Sequence, residues 1–99
     1  MLTGENALAS RVRPGERLPI GWLIRSIRRE RGLTQCELAG ALVAVSGNLG
    51  LGRDEVSRWE RGKRVPGPYW QGWLSSVLEI APERLRASAR LAKELRING

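Results

Sequence analysis

The sequence predicts an all-α domain of five short helices. Three observations carry this. Apolar residues recur at i, i+3, i+4 and i+7 in successive windows, the period of one helical face. Glycines and prolines fall between those windows, where helices stop and start. No stretch alternates apolar and polar residues as a half-buried strand requires, and no internal repeat occurs. The 99 residues suit one domain with short tails. They divide into a flexible, basic N-terminal segment, 1–18, and a helical domain, 19–96.

Residues 1–18 are polar, hold Gly4, Pro14 and Gly15, and show no helical period. Two readings of Arg11, Arg13 and Arg17 stand here: a plain tail, or an arm that follows a polyanion. Pro19 to Arg31 is the first predicted helix, with Ile20, Leu23, Ile24 and Ile27 on one buried stripe. Arg25, Arg28, Arg29 and Arg31 lie off that stripe, and their charge suits the negative end of the helix dipole. Gly32 supplies a left-handed cap.

Thr34-Gln35-Cys36-Glu37 has the form of a capping box and opens the second helix. Leu38, Leu42 and Val45 are its predicted inward stripe, while Ala39 and Ala41 permit close helix approach. Gly47 to Gly52, rich in glycine, reads as a loop. Arg53 to Arg61 is a short third helix anchored by Val56 and Trp59, with Asp54 and Glu55 at its positive end. Gly62 ends it, and Lys63 to Gly67 is a basic connector. Pro68 suits the first turn of a fourth helix, whose Trp70, Trp73, Leu74, Val77 and Leu78 form the strongest amphipathic pattern in the chain. Pro82 starts the fifth helix. Its Leu85, Ala89 and Ala92 face one way; Leu91 and Leu95 face another.

Composition narrows the chemistry. Seventeen Lys and Arg against ten acids give a net charge of +7, which suits a polyanionic partner. There is no His, and Cys36 is the only cysteine. A disulfide framework, a Cys/His zinc site and a His-based triad are therefore excluded. The acids are scattered, so neither a metal nor a cofactor is expected. With no paired-carboxylate motif and no phosphate-cradling glycine loop, the chain is not expected to be an enzyme. No apolar run approaches the roughly 18–20 residues of a membrane span, and Met1 to Arg17 lacks the apolar stretch of a signal peptide. The expectation is a cytoplasmic protein without a membrane partner. Tyr69, Trp70 and Trp73 share the spacing of Leu74 and Val77, so they read as core and not as a stacking platform. Cys36, near a helix N-terminus, reads as a passive small residue, with a redox role as the alternative.

Two motifs stand in order within this pattern: Arg31-Gly32-Leu33-Thr34-Gln35 with Glu37-Leu38-Ala39, then Val56-Ser57-Arg58-Trp59-Glu60-Arg61-Gly62-Lys63. From Arg28 to Pro66 the chain thereby resembles the Xre/Cro/lambda-repressor family of helix-turn-helix domains, and the resemblance extends weakly through the fifth helix. That family joins its second and third helices by a tight turn with a Gly-hydrophobic-Ser/Thr motif. Here Gly50-Leu51-Gly52 fills the slot, and Val43 to Leu49 precede it as extra residues, similar to the longer connection of actinobacterial members.

The resemblance implies a five-helix lambda-repressor-like fold. It also implies a sequence-specific regulator of transcription, most simply a repressor, that binds double-stranded DNA with helix 53–61 in the major groove. A groove about 12 Å wide admits one helix, which must be apolar on its inner side and hydrogen-bonding on its outer side. By match to the family, Arg53, Asp54, Ser57 and Arg58 are base-reading residues; Gln35, Arg61, Lys63 and Arg64 bind phosphate; and Arg28 and Glu60 form a structural salt bridge. Asp54 has two readings: accepting from cytosine N4, or orienting Arg58 four residues on. Such domains bind as homodimers to half-sites roughly 34 Å apart. The Leu91 and Leu95 edge is the candidate dimer surface, or else it meets the N-terminal segment. The alternative function is a protein-interaction module of the same fold: an antitoxin, or an accessory factor for RNA polymerase or another protein partner.

Overall fold

The computed structural model describes residues 17–98. The protein is all-helical, and no strand occurs among the described residues. The helices are α1 (Ile20–Glu30), α2 (Gln35–Ser46), α3 (Arg53–Glu60), α4 (Pro68–Leu78) and α5 (Pro82–Asn98). The proposed arm residues Arg11 and Arg13 lie outside the described residues; Arg17 is exposed.

Local chemistry explains each boundary. Gly32, at φ +73°, turns the chain out of α1, and the Leu33 N–H returns to the Arg28 carbonyl at 3.1 Å. Thr34 caps α2: its Oγ1 accepts from the Glu37 N–H at 3.0 Å, and Glu37 Oε1 accepts from the Thr34 N–H at 2.8 Å. Helix α2 continues through Ser46 and ends at Gly47, φ +72°. The extra residues are thus divided. Val43 to Ser46 complete the last turn of α2, and the connection proper is Gly47 to Gly52. Asn48 braces it, its Oδ1 accepting from the Gly50 N–H at 2.9 Å. Pro68 opens α4, and Glu79 closes it in the left-handed region at φ +58°.

α1 packs against α3 and α5, α2 against α3 and α4, and α4 against α5. The α1 stripe of Ile20, Leu23, Ile24 and Ile27 is buried at the centre, with Leu38, Leu42, Val56, Trp59, Leu74, Leu78 and Leu85 around it. Val45 is a correction to the expected α2 stripe, being 45% exposed. Its place is taken by Val43, four residues after buried Ala39, and by Leu51, which folds back from the connection onto the core. Arg28 lies off the α1 stripe and is nevertheless buried. Of the expected α4 stripe only Leu74 and Leu78 are sealed; Trp70, Trp73 and Val77 pack half-buried at the edge.

One contact sets the α1–α3 spacing. A Cβ on Gly21 would overlap the Trp59 carbonyl oxygen and come within 3.0 Å of the Glu60 carbonyl oxygen. Both are backbone atoms that cannot rotate away. Glycine at position 21 therefore lets α1 lie directly on the end of α3.

Candidate nucleic-acid interface

Helix α3 has only eight residues, and burial divides them cleanly. Val56 and Trp59 are sealed in the core at 0% and 1% exposure, which fixes the helix by its inner side. Arg53, Asp54 and Arg58 are exposed, and Ser57 is half-buried between them. These four residues and Arg61 line a shallow depression of about 340 Å³. The structure thus brings the four expected base-reading residues together on one outer side.

Their ion pairs differ in one respect from the expectation. Asp54 Oδ1 lies 3.5 Å from Arg53 Nη1, its neighbour in sequence. Arg58 instead pairs with Glu55, Nη1 to Oε1 at 3.4 Å, one helical turn back. Glu55 also lies 3.5 Å from Arg64 Nε through its other oxygen. So Glu55, not Asp54, holds Arg58. Sequence reasoning placed Glu55 only as an acid at the helix start. The i, i+3 spacing to Arg58 was the available signal; the reach to Arg64 depends on the turn that follows. There Gly62, at φ +74°, reverses the chain, and the Lys63 N–H bonds the Arg58 carbonyl at 2.9 Å. That brings exposed Lys63 and Arg64 back beside the C-terminal end of α3. Arg61 is also exposed, its Nε 3.4 Å from the Ser57 carbonyl.

Behind this surface lies a buried ion pair. Arg28 Nε donates to Glu60 Oε2 at 2.6 Å, and Arg28 Nη2 donates to Glu60 Oε1 at 3.0 Å. Their side chains are only 9% and 3% exposed. Arg28 Nη1 also donates to the Leu33 carbonyl at 2.7 Å. Glu60 Oε1 accepts a further bond from Gln35 Nε2 at 3.0 Å. Gln35 opens α2, so one carboxylate ties α1, the first residue of α2 and the end of α3 together. One amide hydrogen of Gln35 is engaged in this bond, leaving its carbonyl and second hydrogen for another partner.

The other singled-out residues fall outside this surface. Trp59 is core, with Trp70 tilted against it at 6.2 Å between ring centroids. Tyr69 is exposed and meets Trp70 edge-on. Cys36 is exposed beside Gln35. Leu91 is half-buried and Leu95 exposed. Among the described residues no cluster of His, Cys, Asp and Glu is fit to hold a metal, and no helix is long and apolar enough to cross a membrane. Comparison with protein-family models, curated proteins and solved structures gives no match.

Proposed function

We propose that this chain is a lambda-repressor-like helix-turn-helix regulator that reads double-stranded DNA, α2 and α3 forming the motif and α3 entering the major groove. The single observation that carries the reading is the division of α3. Val56 and Trp59 anchor it completely, while Arg53, Asp54, Ser57 and Arg58 project together from the other side. A short helix held on one side and armed on the other is what major-groove reading requires. Arg53 and Arg58 would take guanine O6 and N7, the commonest specific contact. Gln35, Arg61, Lys63 and Arg64 would bind the flanking backbone, fixing register without reading sequence. The Arg28–Glu60 bridge would set the angle between the Gln35 grip and the reading helix.

The proposal includes action as a cytoplasmic repressor by occlusion of a promoter, in pairs on half-sites roughly 34 Å apart. Selection of bound sequences from random duplex pools tests it. The expected result is an enriched motif, palindromic if two copies bind together. Salt-sensitive binding with no enriched motif would reduce the +7 charge to a general attraction for polyanions and defeat the proposal.

A further inference from the structure

A groove of about 440 Å³ lies beside the C-terminal end of α3, between the start of α1, the α3–α4 connection and the last turns of α5. That volume falls within the range of ligand-holding clefts. Its floor is apolar, formed by Ile20, Trp59 and Ala92. Trp22 and Leu95 also line it, and they are 59% and 51% exposed. Exposed large apolar side chains gathered on one groove mark an interaction site. Arg25, Arg61, Arg64 and Arg96 complete the lining. The acid among the lining residues, Glu60, is already bonded to Arg28 and Gln35. Arg64 is also 3.5 Å from Glu55, so the groove presents apolar surface together with a net positive charge.

We propose that this groove docks an acidic amphipathic helix of a partner protein. Such a helix seats an apolar anchor between Trp22 and Leu95 and sets its carboxylates against Arg25, Arg61, Arg64 and Arg96. Tryptophan and arginine are the side chains that dominate interface energetics, and an amphipathic helix in an apolar groove is a recurring recognition mode. Guanidinium and carboxylate form paired, charge-assisted hydrogen bonds. Charge decides between occupants. A second copy carries the same four arginines and the same +7. A DNA backbone supplies the negative charge but nothing apolar to cover Trp22 and Leu95. Arg61 lines both this groove and the depression on α3. A docked partner thus competes for two of the proposed phosphate ligands, Arg61 and Arg64, and linkage makes the competition reciprocal. The docking stands without the DNA reading; only that competition rests on it.

The probe is a fluorescein-labelled peptide of Leu and Glu, roughly 18 residues long so that it holds a helix, with Leu at i, i+3, i+4 and i+7. Its control has Lys in place of Glu. Binding to the full chain is followed by anisotropy. The acidic peptide is expected to saturate and the basic one not to bind. Trp22→Ala, an exposed position, is expected to weaken binding about tenfold or more, as loss of an anchor does, and Arg25→Glu and Arg96→Glu to weaken it further. Circular dichroism of each variant should match the wild type. The proposal is overturned by absent or charge-independent binding, or by a Trp22→Ala affinity equal to the wild type. It is equally overturned if sedimentation finds a dimer that Trp22→Ala separates, which seats a second copy in the groove. A rise in peptide affinity on Leu8→Ser with Val12→Ser would assign the groove to the chain's own N-terminal segment and overturn it too. Duplex DNA that still displaces the peptide from an Arg61→Ala/Arg64→Ala variant, which lacks the two shared residues, would make the rest of the groove a backbone-contact surface, with the same consequence.

Discussion

Removing the Glu60 carboxylate strands a buried charge. In Glu60→Ala, Arg28 keeps its bond to the Leu33 carbonyl and loses both bonds to Glu60, one of them at 2.6 Å. Its side chain is 9% exposed, so little water replaces them. Leaving one member of a buried pair uncompensated costs about 3–5 kcal/mol. A domain of this size holds roughly 5–15 kcal/mol in all, so the urea midpoint should fall by a large fraction of its value with an unchanged slope. The companion variant Arg28→Met/Glu60→Leu removes both charges and fills the space. It should recover most of the stability, since apolar replacements of buried pairs are often neutral. It should not recover DNA affinity, because Gln35 has lost the oxygen that holds it to α3. A Glu60→Ala loss below about 1 kcal/mol would mean that Arg28 is effectively hydrated. Recovery of both stability and binding in the double variant would refute the positioning role.

Other substitutions probe other links. Gly21→Ala drives a methyl group into the Trp59 carbonyl and should cost about 1–3 kcal/mol in urea unfolding, the usual range for overpacking. Thr34→Ala removes the α2 cap and should cost about 1 kcal/mol, read as a lower thermal midpoint. Lys63→Ala should reduce the slope of log K against log salt by about 0.9, one phosphate contact, at every DNA sequence alike. Gln35→Ala should weaken binding with the slope unchanged, because a neutral amide releases no counterion.

How legible these features were depends on how local they are. The α1 stripe and the α2 capping box are written within a few residues, and both read directly from the sequence. Val45 misled because helical period ignores where a core ends. By the last turn of α2, Leu51 returning from the connection covers the core in its place. The demand for glycine at position 21 was invisible, since the obstructing carbonyls lie almost forty positions on, across the α1–α3 contact. Glu55 was seen as an acid at a helix start, but its reach to Arg64 exists only after Gly62 turns the chain. The groove of Trp22, Arg64 and Leu95 draws on three distant segments, and no spacing in the sequence brings them together.

The proposed function requires that the outer side of α3 read base sequence. Its most direct test compares the positional preferences of wild type, Arg53→Ala and Arg58→Ala in parallel selections from random duplex pools. Each variant should lose discrimination at its own base position, by about 1–3 kcal/mol for a bidentate guanine contact, while preference elsewhere in the motif persists. If both variants enrich the same motif with undiminished preference at every position, the arginines of α3 do not read DNA and the proposed function is wrong.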